Sequence, residues 1–257
     1  MQHLSIDIVL GAVILLRFFS KLLEVTVEWP VYVLLASAVW SVYTIDHIRD
    51  SVSTKKSGRD RYLFHKQYAR PLKITIILVV MFSSICIFYI PESVLISGLV
   101  LTSLCLLYIL FQSRLAQLGL KELYVATMYS LGILLAPFSI AESFDIYMFL
   151  VLLTLAFLNL TIFSWFEIQQ DEQDSFSSIA IILGKGKTEM LILSVCALGL
   201  ALGISGLVFV FNLSIFFLLM TGLFSFLTLK KEWSSKMERY RTVGDAVFIL
   251  PIFFELF

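Results

Sequence analysis

The feature that most constrains this chain is a succession of apolar runs, each long enough to cross a bilayer. A spanning helix needs about 20 mostly apolar residues. Nine such runs are counted, at 4–22, 29–48, 71–91, 93–112, 121–140, 144–168, 188–209, 211–229 and 241–257. Each reads as a helix, because an open strand would leave its backbone N–H and C=O groups bare in lipid. The expected fold class is an all-α polytopic membrane protein, a nine-transmembrane-helix bundle, with 1–257 as a single transmembrane domain. Pro91 marks the break between the third and fourth runs, and Asn212 marks the one between the seventh and eighth. The first run has no basic leader and no small-residue cleavage site, so it reads as a span and not a signal peptide.

Composition agrees. The chain is 59% hydrophobic, against roughly 45–50% for soluble domains. Its net charge is zero, which offers no bulk attraction to nucleic acid. Cys86, Cys105 and Cys196 lie inside apolar runs without metal-ligand spacing and read as buried thiols.

The basic residues set the orientation. Of 19 Lys and Arg, 17 fall in or beside the 2–3, 4–5, 6–7 and 8–9 connections, leaving only Arg17 and Lys21 on the other side. The positive-inside rule makes those four connections cytoplasmic. The N-terminus is then cytoplasmic and the C-terminus external, in a multi-pass protein of the cell membrane. Trp29 and Trp165 fall near span ends, where interfacial aromatics are expected.

Two acidic clusters then lie on the cytoplasmic side. In "VYTIDHIRD" (42–50), Asp46 and Asp50 are four apart and share a helical face, with His47 off it. In "WFEIQQDEQD" (165–174), Glu167, Asp171 and Asp174 align on one face, and Glu172 points elsewhere. Clustered carboxylates repel one another and call for a cation. Mg²⁺ is bound by one or two carboxylates together with substrate phosphates, so two clusters could clamp a diphosphate. The neighbouring Arg59, Arg61, His65, Lys66, Arg70, Lys185 and Lys187 would supply the other half of an anion site. Solvated helix ends beside basic loops are the plainer alternative.

Together the two segments resemble the UbiA-type intramembrane prenyltransferase superfamily, which carries N-D-x-x-D-x-x-x-D at the end of helix 2 and D-x-x-x-D at the end of helix 6. Glu167-x-x-x-Asp171, followed by "SSIAIILGKGKT" (177–188), matches the second motif in spacing. The first match is partial. Asp46 and Asp50 hold the last two acidic positions, while Val42 and Tyr43 stand where the family has Asn and Asp. "ARPL" (69–72) and "LKEL" (120–123, with Lys121) resemble further family segments. The resemblance implies a UbiA-like helical bundle around a central cavity that opens sideways into lipid. It implies Mg²⁺-dependent transfer of a prenyl group from a polyprenyl diphosphate to a lipophilic acceptor within the bilayer. Asp46, Asp50, Glu167 and Asp171 would be catalytic, and these four with Asp174 would be metal ligands. Arg70 and Lys121, in segments that resemble the family's, would bind diphosphate, and Arg59, Arg61, His65, Lys66, Lys185 and Lys187 join them from their place beside the acids, Arg59, Arg61 and His65 lying in a stretch outside the family pattern. No protein partner is implied.

The departure at Val42 and Tyr43 keeps open a terpene-cyclase-like member or a catalytically diverged scaffold. Tyr43, Asn159, Arg241 and Asp245 are candidate rim residues. Arg241 and Asp245 are four apart on the opening of the last run and are positioned to pair. A transporter is the rival from another class, but the acids cluster at the surface and not at the midplane. A CDP-alcohol phosphotransferase also uses clustered Asp and a metal, but its D-G-x-x-A-R signature is absent.

Overall fold

The computed structural model describes residues 4–53 and 60–255. Twelve α-helices follow one another: α1 (Ile6–Leu22), α2 (Trp29–Ser53), α3 (Asp60–Gln67), α4 (Ala69–Ser83), α5 (Glu92–Gln117), α6 (Lys121–Ala141), α7 (Ile146–Asp174), α8 (Ile179–Leu183), α9 (Lys185–Gly206), α10 (Phe211–Leu229), α11 (Lys231–Ser235) and α12 (Arg239–Ala246). A 3₁₀ segment, Ser84–Tyr89, prolongs α4 to the turn at Pro91. Among the described residues no strand occurs. The molecule is an all-α, multi-pass membrane protein.

Among the described residues, seven helices are long and apolar enough to cross a membrane: α2, α4 with its 3₁₀ extension, α5, α6, α7, α9 and α10. Two of the nine expected runs depart from that. α1 is a 17-residue helix drawn deep into the protein, with Leu15 and Phe19 fully buried. The last run is not one continuous helix. α12 ends at Ala246, and a 3₁₀ segment, Leu250–Glu255, follows. Pro251 brings no N–H to that segment, so an α-helical ladder could not run through it intact. The short helices α3, α8 and α11 are additions in the connections.

α7 is the centre of the packing. It contacts α6, α8, α9, α10 and α12, while α1 bridges α2, α6 and α12. The core is built from Leu152, Leu155 and Leu158 of α7 with Phe216, Phe217 and Phe224 of α10. Small residues bring the backbones together, as suits helices that cannot gain from hydrophobic exclusion in lipid. Gly203 of α9 is packed so tightly that a Cβ would lie 2.7 Å from Leu218. Gly244 of α12 rests directly on Asn159 and Phe163 of α7. α5 is the outer wall, with only Val94, Tyr108, Gln112 and Ala116 buried.

Trp165 departs from the interfacial position expected of it. α7 runs on for nine residues past it, so it lies inside the helix, 2% exposed. Its indole N–H donates to the Lys185 carbonyl at 2.9 Å. Trp29, at the start of α2, is 64% exposed. Cys86 and Cys196 are buried, and all three thiols are free.

Candidate active site

A polar cavity of about 230 Å³ lies where α1, α2, α6, α7 and α12 meet. Each helix offers it a stripe. On α2 the lining positions are Tyr43, Asp46, His47 and Asp50, an i, i+3, i+4, i+7 pattern. On α7 they descend from Asp171 through Glu167, Ser164, Phe163 and Asn159. α6 gives Lys121, Glu122, Val125 and Tyr129, while Arg241 and Asp245 come from α12. The four acids Asp46, Asp50, Glu167 and Asp171 thus reach one cavity from two helices, as their spacing suggests. His47 also lines it, against expectation, because the stripe is wide enough to take in both i+3 and i+4.

Several expected site residues do not reach the cavity wall. Asp174 is buried at 3% exposure but lies outside the lining. It lies seven positions beyond Glu167, and at 1.5 Å per residue that carries it about 10 Å further along the same face. Lys66, Arg70, Lys185 and Lys187 are exposed and also lie off the cavity. α8 is inserted ahead of α9, so Lys185 and Lys187 open α9 beyond the cavity. Lys66 is near the end of α3 and Arg70 is in the first turn of α4, both outside the lining stripes. His65 is 1% exposed and packs on His47 with ring centroids 4.9 Å apart, so it is a neighbour of the wall, not part of it. Arg59 lies outside the described residues, and Arg61 falls in α3.

Arg241 lies within electrostatic reach of Asp245, as its spacing suggests, and takes a further partner that spacing could not show. Its guanidinium forms an ion pair with Glu167 of α7 and approaches Glu238 at 4.0 Å. It also sits 5.1 Å above the Phe163 ring, a favourable place for a cation. Tyr240 donates its hydroxyl to Glu167 Oε1 at 3.1 Å. Burial, and after it the Glu167 carboxylate, pushes the Tyr240 phenol above its usual range, so the ring stays a neutral donor. Glu167 therefore reaches the cavity with its charge already matched, which weakens its case as a metal ligand.

Asp46 is held differently. Gln112 of α5 donates from Nε2 to Asp46 Oδ1 at 2.6 Å. Arg49 donates in turn to Gln112 Oε1 at 2.9 Å and to the Ile109 carbonyl at 2.8 Å.

Two acids were not singled out in the sequence: Asp7 in the first turn of α1 and Glu122 beside Lys121 both line the cavity. Asp245, a candidate rim residue, lines it too. The available signal was an acid one turn inside an apolar run, where a charge is costly. Among the described residues, seven carboxylates and two Lys or Arg side chains line this cavity. Among the described residues no three His, Cys, Asp or Glu side chains gather closely enough to hold a metal unaided.

A second cavity, apolar and about 320 Å³ in volume, runs between α2, α5 and α6. It extends along α2 from Val42 and Tyr43 to Val31 and reaches the outer surface at Ile87 and Leu99. Tyr43, Tyr108, Val125 and Tyr129 line both cavities. The tyrosine at the position where the family motif has Asp therefore stands on the border between the acidic and the apolar space.

The chain has the UbiA-type fold. It superposes on the apo structure of a UbiA homolog from Aeropyrum pernix K1 with a TM-score of 0.71 at 12% identity, covering 97% of this chain and 98% of that one. It also resembles a structure of digeranylgeranylglyceryl phosphate synthase, with a TM-score of 0.58 at 14% identity, covering 98% of this chain and 97% of the other. No family model matches the sequence, and no curated protein matches it.

Proposed function

We propose that this protein transfers a prenyl group from a polyprenyl diphosphate to a lipophilic acceptor inside the membrane. The observation that carries this reading is the junction of two unlike cavities across Tyr43, Tyr108, Val125 and Tyr129. A prenyl diphosphate has the same division, a multiply charged head on an apolar tail.

The acidic chamber suits a Mg²⁺-bound head. Among the described residues that line it, carboxylates outnumber Lys and Arg side chains, and Mg²⁺ needs only one or two protein carboxylates when phosphates complete its shell. Asp46, Asp50 and Asp171 would hold the metal, with Glu167 anchored beside them to Arg241. Bound there, Mg²⁺ would neutralise charge on the leaving diphosphate as a Lewis acid.

The chain's own side chains account for the rest. Lys121 offers fixed positive charge as the allylic C–O bond breaks and its electron pair leaves with the diphosphate. The groove holds the tail and excludes water from the allylic cation. The electron-rich faces of Tyr43, Tyr108 and Tyr129 stand at the border, where they would lower the energy of a passing cation. The acceptor's lone pair then forms the new bond to carbon, and its proton departs.

A bundle that kept the cavity and lost the chemistry is the second reading. The observation favouring it is that Glu167 is already matched by Arg241 and Tyr240. Purified protein given allylic diphosphates of graded length, with and without Mg²⁺, separates the two. Mg²⁺-dependent pyrophosphate release is the outcome for an enzyme. No release at any chain length leaves the scaffold.

A further inference from the structure

We infer that Glu122 receives the acceptor, and that the acceptor presents an uncharged hydroxyl to it and not an anionic head. This rests on the transfer reading and names the substrate class it left open. Glu122 sits in the first turn of α6 and is 5% exposed. Its Oε1 accepts two hydrogen bonds, from Ser164 Oγ of α7 and from the Ile179 backbone N–H of α8, each at 2.9 Å. Donors from two helices fix the carboxylate. Its Oε2 is shut away from water and has no hydrogen-bond partner. Native proteins leave few such atoms bare.

A carboxylate oxygen can only accept, so what completes it is an O–H or N–H donor or a cation. The cation is the weaker choice. The neighbouring Lys121 already lies within electrostatic reach of Glu122, and Oε1 is fixed on the hydrogen-bond donors Ser164 and Ile179. Two turns further along the same face of α6, Tyr129 also has a buried hydroxyl without a partner, and it borders the apolar groove. A molecule with a hydroxyl head and an apolar body lies naturally along Glu122, Val125 and Tyr129. A carboxylate or phosphate head there would face the Glu122 charge directly.

The step balances. The acceptor oxygen bonds to the prenyl C1, the C1–O bond breaks with its pair going to the diphosphate, and the hydroxyl proton passes to Glu122 Oε2.

The test uses the full chain in nanodiscs and a matched pair of probes, hydroquinone and 4-hydroxybenzoate, titrated by calorimetry without diphosphate. Hydroquinone is expected to bind about tenfold tighter or better, the scale of one charge-assisted hydrogen bond. Glu122→Gln keeps an acceptor oxygen for Ser164 and Ile179 and should erase that preference while leaving Mg²⁺–pyrophosphate binding intact. Tyr129→Phe should weaken hydroquinone several-fold. Equal or tighter binding of 4-hydroxybenzoate to the unaltered protein overturns the inference without needing any variant. An unchanged preference in Glu122→Gln overturns it too, as does a loss of Mg²⁺–pyrophosphate binding there, which would move Glu122 to the metal side. If no allylic diphosphate releases pyrophosphate, the transfer reading falls, yet the neutral-over-anionic preference is still read separately.

Discussion

Asp46 owes its orientation to a neighbour that is not acidic. Gln112 reaches it from α5 and is itself gripped by Arg49, so the carboxylate meets the cavity in one pose. Replacing Gln112 with Leu removes the donor and strands Arg49. Support groups of this kind typically cost 10–100-fold in metal affinity. The Mg²⁺ concentration giving half-maximal pyrophosphate release should rise by about that factor, while heat stability read by circular dichroism changes far less. On α7 the contrast is between Asp171, which lines the cavity, and Glu172, which is exposed. Asp171→Asn should lower turnover by ~10²–10³-fold, the scale for losing one electrostatic contact to a leaving group. Glu172→Gln should leave turnover unchanged, and equal losses at both positions would reduce these acids to a solvated helix end.

At the scale of elements, the close seating of α12 on α7 decides where Arg241 points. A Cβ on Gly244 would come within 2.8 Å of Phe163 and also strike Asn159. Gly244→Ala should therefore push α12 outward, at a cost of about 1–3 kcal/mol by the usual scale of overpacking. Its melting temperature should fall, and the Arg241–Glu167 pair should loosen with it. An unaltered melting curve and unaltered turnover would show that α12 seats elsewhere. The sequence made the long helices legible through apolar length alone, and the α2 and α7 faces legible through spacing of the acids. It could not reveal that Glu167 is matched by Arg241, since those positions are 74 residues apart in the chain. Glu122 and Asp7 were hidden for the same reason, because a single acid has no spacing to read and its partners come from other helices. Trp165 was misplaced because an aromatic near the end of a run can face either lipid or a neighbouring helix, and here it faces the start of α9.

For the whole molecule, the distribution of 17 of the 19 cations predicts that the acidic chamber opens to the cytoplasm. A reporter fused at Met1 should be cytoplasmic and one fused after Phe257 external. The break between α12 and the closing 3₁₀ segment makes the second fusion the sharper measurement. Both reporters on one side would mean that this last segment turns back instead of crossing. The apolar groove carries a separate consequence, because it reaches the outer surface at Ile87 and Leu99, where the surroundings are lipid. Reactants arriving by that route are counted per unit of bilayer, not per litre of buffer. Diluting the vesicles at fixed lipid composition should leave the velocity per protein unchanged, whereas adding inert phospholipid at fixed total substrate should slow it in proportion. Any saturation constant for this protein then belongs on a scale of mole fraction in the membrane.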